Sequence, residues 1–286
     1  MAGTTLFEHI KSMLYTTIPA VLIAAVLYGI MGVRYAGQEL NVSEINGILS
    51  AMTENFNITP LLLIPPIIVI IIVVMKIPAL PGLMAGVLLG GLFAMLFQGA
   101  DLGAFIDAAH YGFELESGNE IVDYLLSRGG LDGMMWTVSL ILIALCFGGI
   151  MEKTGMLHAI GSAILQMAHN SGSLIAATVL TCLAVNLLAG EQYIALVIPG
   201  RMYKDAYKEK GIHPKILSRA LEGGGTVTSA LIPWNTCGAF MWTTLGVHPF
   251  AYLPYAYFNL AMPVVEIVAG FLGFGVFKED GTKINA

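Results

Sequence analysis

Charge is what this sequence has least of. Asp, Glu, Lys and Arg together make up 11% of its 286 residues, where soluble domains carry about a quarter. The chain is 57% hydrophobic with a mean hydropathy of +0.79, so an ordinary soluble domain is excluded. An all-α polytopic membrane protein remains, with the lipid bilayer as its surroundings and no nucleic-acid partner expected. Cysteine is scarce too: Cys146, Cys182 and Cys237 are odd in number, sit in apolar segments and lack CxxC spacing. Neither a disulfide framework nor a zinc site is indicated, and the three read as small apolar fillers. The start, MAGTTLFEHIKSM, has no basic leader or small-residue cleavage site, so the first span is expected to stay in the mature protein. No GxSxG occurs, and no histidine lies near Ser229 in sequence, which leaves an intramembrane hydrolase built on Ser229 poorly supported.

What is present is a series of apolar runs. Residues 14–33 are long enough to cross a core of roughly 30 Å. Residues 60–76 are almost pure Ile, Val and Leu, a composition suited to lipid contact, with a kink expected at Pro65 and Pro66. Residues 79–98 form a third span containing Gly82, Gly86, Gly90 and Gly91, whose four-residue glycine spacing permits close helix packing. Further spans are expected at 133–151 and about 252–277, and residues 155–170 are too short to cross and suggest an interfacial or re-entrant helix. Altogether about 5–7 membrane-embedded helices are expected.

The charges that do occur are sorted. Residues 34–59 carry Arg34 against Glu39, Glu44 and Glu54, and read as a loop. Residues 99–132 hold seven acids against Arg128 alone and read as an acidic extracellular loop. Residues 201–219 bring Arg201, Lys204, Lys208, Lys210, Lys215 and Arg219 against two acids and read as a basic cytoplasmic loop. Counting outward from it places both termini inside.

Two apolar stretches flanking that basic patch are interrupted. In 174–200 the run breaks at AGEQY, where Asn186, Glu191 and Gln192 cluster. In 220–247, Gly223, Gly224, Gly225 and Pro233 interrupt the helix beside Thr226, Thr228, Ser229, Asn235 and Thr236. Irregular backbone at membrane depth survives only when it is buried in protein or lines a cavity, and transporters bind ions and substrates at such breaks. Neutral oxygens suit sodium, though any single hydroxyl serves packing as well. Glu222 could hold sodium or a proton, or simply pair with Arg219 at i,i+3. Glu191, an acid in a membrane break, is expensive unless it faces water or a partner. Glu266 could be a proton relay or one side of a salt bridge to a part of the protein outside this chain. His158, His169 and His248 read as interfacial histidines, and Trp234 and Trp242 as anchors.

The run LSRALEGGGTVTSALIPWNTCGAF, together with AGEQYIALVIPGRMYKDAYKEKGIHPK and FEHIKSMLYTTIPA, resembles the NhaC-type sodium/proton antiporters, a branch of a superfamily that also includes malate–lactate antiporters. The resemblance covers essentially the whole chain. It implies a secondary transporter of the inner membrane that exchanges cytoplasmic sodium for external protons, with no cofactor beyond the transported ions. It also implies that FEHIKSMLYTTIPA falls near the middle of a full-length member. On that reading residues 1–286 form a single membrane domain, the C-terminal half and one repeat of an inverted-repeat transporter. Such a half is expected to need a separately encoded N-terminal half or a homo-oligomer. The family pattern carries an acid directly after the position of Glu222, where this sequence has Gly223. An ion-coupled dicarboxylate antiporter and a transport-inactive fragment stay open beside sodium/proton antiport. The sodium ligands would come from Asn186, Glu191, Gln192, Glu222, Thr226, Thr228, Ser229, Asn235 and Thr236.

Overall fold

The structure, a computed structural model, describes residues 3–34, 42–75, 77–127, 129–280 and 282–283. Glu39, Lys76 and Arg128 lie outside the described residues. In chain order the helices are α1 (Leu6–Val33), α2 (Val42–Asn55), α3 (Ile64–Val74), α4 (Ala79–Phe97), α5 (Leu102–His110), α6 (Glu120–Leu126), α7 (Gly130–Lys153) and α8 (Met156–Leu165). They continue with α9 (Ser171–Ala189), α10 (Gln192–Glu209), α11 (Pro214–Leu221), a π-helical turn (Glu222–Thr226), α12 (Val227–Ser229), α13 (Thr236–Leu245), α14 (Pro249–Tyr252) and α15 (Tyr257–Phe271). Four of them are long and apolar enough to cross a membrane, or up to six spans if each of two bent pairs counts as one. The chain is a multi-pass helical membrane protein.

Two compact units emerge, residues 38–135 and residues 1–37 with 136–286. In the first, α3 packs on α4. Gly82 and Gly86 supply the close approach: a Cβ there would lie 3.1 Å from Ile72 and 3.2 Å from Val69. Gly90 faces open space, and the third contact is made instead by Gly91 against Phe105. The 34–59 stretch is not the loop its polarity suggests, because α2 occupies most of it and bends by 93° into the segment that begins at Pro60. Pro65 and Pro66 sit in the first turn of α3, directly after a 3-10 turn over Pro60–Leu63, and the sharp bend falls before Pro60. The acidic stretch 99–132 likewise holds α5 and α6, each started by an acceptor side chain: Asp101 takes the Ala104 N–H, and Asn119 those of Ile121 and Val122.

In the second unit α9 is the central helix. Its apolar window is 61% buried, against 17% for α1 and α7, and it packs on α8, α10, α11, α15 and the π turn. α1 starts at Thr5, which forms a capping box with Glu8, and it begins well before the apolar run does. Its buried stripe is Ser12, Thr16, Ala20 and Ala24, spaced every four residues and small throughout, which lets α15 lie close against it. α8 is 10 residues long, with Leu157 and Gly161 buried, so it covers about 15 Å and does not cross. The basic stretch 201–219 is mostly not a loop. α10 carries it to Glu209, and α11 takes up again at Pro214, a residue suited to a first helical turn.

Candidate functional site

The break in 174–200 falls where the sequence places it. α9 ends on Gly190 at φ 64°, a left-handed conformation that glycine alone adopts cheaply. Glu191 then starts α10, its carboxylate accepting the Ile194 N–H at 2.8 Å. That carboxylate therefore sits on a helix N-terminus, where negative charge is favoured.

The second break is displaced from where glycine content puts it. Gly223, Gly224 and Gly225 do not interrupt the helix; they form the π-helical turn between α11 and α12, and the backbone breaks afterwards, across 230–235, around Pro233. The glycines answer to packing. A Cβ on Gly224 would lie 2.8 Å from Val179 Cα, and one on Gly225 would lie 2.6 Å from Leu196 Cδ2, so the turn presses directly on α9 and α10. A π turn is a known form for a functional bulge in a continuous helix.

The two breaks meet. Thr236 N–H donates to Gly190 O at 2.9 Å, Trp234 Nε1 donates to Leu187 O at 2.7 Å, and the Cys237 thiol lies 2.8 Å from Gln192 Oε1. At the centre Asn186 Nδ2 donates to Gly225 O at 2.6 Å and to Thr228 Oγ1 at 3.2 Å. Asn235 Nδ2 donates to Asn186 Oδ1 at 3.1 Å, while Asn235 Oδ1 accepts the Cys237 N–H as the cap of α13. Both asparagines are fully buried. Thr228 Oγ1 donates to Gly224 O at 2.6 Å and Ser229 Oγ to Thr226 O at 2.7 Å, each hydroxyl satisfying carbonyls of its own turn. A serine committed in this way gives nothing to the hydrolase reading.

Two groups that sequence reasoning missed complete this end of the helix. Asn259 Nδ2, from α15, donates to Val227 O at 2.6 Å, and Tyr252 O–H donates to Ala230 O. Asn259 was visible as a lone amide in an apolar span; Tyr252 carried no signal. Against this closed network two acceptors stand out. Thr226 Oγ1 is buried without a hydrogen-bond partner, and four residues before it the half-buried Glu222 carboxylate forms no ion pair among the described residues. The i,i+3 pairing of Glu222 with Arg219 does not form, because Arg219 turns inward to Glu266 at 2.8 Å. The salt bridge of Glu266 is thus made within this chain. Trp242 packs edge-on against Trp136 and His248, His248 caps α14, His158 bonds Ser162 on α8, and the His169 carbonyl accepts from Lys210. Among the described residues no group of three or more His, Cys, Asp or Glu could hold a metal ion. The site's donors are amides, hydroxyls and carbonyls.

Two broken helices thus meet inside an apolar helical protein, each break stitched by the other's polar groups, the kind of irregular backbone that membrane proteins keep where it is buried in protein. Residues 1–274 match the model of the Na+/H+ antiporter family, and the chain belongs to that family. It is 37% identical over 281 residues to the Na(+)/H(+) antiporter NhaC of Alkalihalophilus pseudofirmus, covering 98% of this chain and 60% of that relative. It is 33% identical over 286 residues to the malate-2H(+)/Na(+)-lactate antiporter of Bacillus subtilis, covering 100% of this chain and 61% of that protein. To the arginine/ornithine antiporter ArcD of Halobacterium salinarum it is 32% identical, over 98% of this chain and 58% of ArcD. The chain thus spans about 60% of the length of the curated relatives it matches. No solved structure matches it.

Proposed function

We propose that this chain carries the ion-handling region of a sodium/proton antiporter of the cell's inner membrane, with cation and proton competing at the crossing of the two breaks. The observation that carries the reading is the pair of uncommitted oxygens beside an otherwise closed polar network: Glu222 and the buried Thr226 Oγ1. A carboxylate in an apolar setting holds its proton more tightly, and a bound cation releases it. Glu222 is the exchanging acid on this reading. Thr226 and the neighbouring carbonyls are the neutral ligands, and Asn186, Thr228, Ser229, Asn235 and Thr236 fix the backbone that presents them. Glu191 and Gln192 shape the opposite wall: Glu191 is held by the α10 N-terminus, and Gln192 by the Cys237 thiol.

The basic stretch 201–219 faces the cytoplasm under the positive-inside rule, and both termini lie on that side. The partner we assign is the remaining length that the relatives possess, as a neighbouring polypeptide or part of the same one, packed so that binding lies at the interface of two repeats. The transported sodium and proton are the only small species required. A second reading has support from one relative: the malate-2H(+)/Na(+)-lactate antiporter shares 33% identity along the full chain, so an organic acid could travel at the same crossing.

Everted vesicles test the proposal. Sodium added to vesicles carrying the chain, alone and with the remaining length of a relative supplied, is expected to collapse an imposed proton gradient. A response to malate or lactate in place of sodium alone would favour the second reading, and silence in both preparations would remove the first.

A further inference from the structure

The fully buried ion pair Arg219–Glu266 lies outside the crossing but touches its support. Arg219 lies in the last turn of α11, three residues before Glu222, and Glu266 lies within α15; both side chains have 0% exposure. Arg219 Nε donates to Glu266 Oε1 at 2.8 Å, and Nη1 donates to Gly275 O at 2.9 Å, so one guanidinium joins α11, α15 and the turn that follows α15. The π turn is seated on the same pair: a Cβ on Gly223 would lie 3.6 Å from Glu266 Cβ and Cγ. Two charges buried in apolar surroundings stabilise less than a well-packed apolar pair would, so such a pair is explained by what it positions.

Its hydrogen bonding carries a second clue. Arg219 Nη2 and Glu266 Oε2 are both buried without partners. A donor and an acceptor are thus left over on the two members of one pair, one bond short of the two-point fork that Arg and a carboxylate prefer.

We propose that Arg219 and Glu266 are a positioning pair that sets the Glu222–Thr226 turn against α15 and so fixes the cation affinity of the crossing, each charge neutralising the other and neither carrying the transported ion. This rests on the reading that the π turn handles the transported cation.

The test removes both charges together, Arg219→Met with Glu266→Leu, because either single loss strands a buried charge. Two quantities are read: hydrogen–deuterium exchange over 222–229, and the sodium concentration that half-saturates proton movement in vesicles. Exchange over 222–229 is expected to rise about tenfold while that over α13 stays put, and half-saturating sodium to rise by about the same factor with the maximal rate retained. Arg219→Lys, which keeps the charge but cannot hold Glu266 and Gly275 O with one planar guanidinium, serves if the double variant does not fold, and should fall between it and the parent. Unchanged exchange overturns the positioning role. So does a lost maximal rate at unchanged half-saturation, which would place these charges in the transport step itself. If the parent moves no protons in response to sodium, the functional reading falls, and exchange alone still decides whether the pair positions the turn.

Discussion

Asn235 Nδ2 donates to Asn186 Oδ1 at 3.1 Å, an amide-to-amide bond between two fully buried side chains that closes one helix break onto the other. Asn186 in turn spends its own Nδ2 on Gly225 O. Asn186→Ala therefore removes the best bond of a buried carbonyl and of a buried amide at once, leaving Gly225 O a 3.5 Å contact from Thr228 Oγ1 and Asn235 Nδ2 a 3.4 Å contact to the Asn186 carbonyl, where a fully unpaired buried group would cost about 1–3 kcal/mol. A large fall in the thermal unfolding midpoint in detergent is expected, and a midpoint within a degree or two of the parent would refute the network's structural weight.

The three glycines of the π turn should differ in tolerance. Gly223→Ala meets ordinary contacts at 3.5 and 3.6 Å, whereas Gly224→Ala drives a Cβ to 2.8 Å from the Val179 backbone. The first is expected to purify like the parent, and the second to lose several kcal/mol through overpacking against an unyielding neighbour. Size-exclusion profiles and melting curves of the two variants compare them directly; equal behaviour would contradict the packing account.

Glu222→Gln removes a carboxylate that makes no ion pair among the described residues, so stability should change by less than about 0.5 kcal/mol. Sodium-dependent proton movement should nevertheless disappear. A variant that still exchanges would move the exchanging acid elsewhere.

In the 38–135 unit, Asp123 accepts from the Ser117 O–H and N–H at 2.6 and 2.8 Å, and these bonds hold its carboxyl below the usual range. A lowered value in the folded state contributes stability that is present above the ordinary carboxylate value and is lost as pH falls through the lowered one. Exchange protection of the Ser117 amide should accordingly persist at neutral pH and fade in strong acid. In Asp123→Asn it should be reduced already at neutral pH.

The long apolar runs and the AGEQY break were legible because each is written locally: hydropathy sets α4, α7 and α9, and Gly190 followed by a capping acid sets the start of α10. The triple glycine misled because helix propensity weighs less than packing here. Backbone pressed against Val179 and Leu196 needs residues without a Cβ, whatever their propensity, and the real break waits for Pro233. Arg219 read as one more charge of a solvated basic patch, since its partner lies 47 residues away and no spacing rule connects α11 to Glu266. Polarity hid α2 inside 34–59, although Val42, Ile45, Leu49 and Met52 recur there at helical spacing. Of the site residues, Asn186, Asn235 and Thr228 do converge, while Ser229 bonds within its own turn. Asn259 and Tyr252 join them only through the tertiary fold.

Calorimetric titration of sodium into the purified protein, run in two buffers of different ionisation enthalpy, tests the central claim most directly, because the difference between buffers counts protons released per cation bound. Competition at Glu222 predicts proton release that vanishes in Glu222→Gln. Sodium binding with no proton release in the parent, or with the same release in the variant, would contradict it.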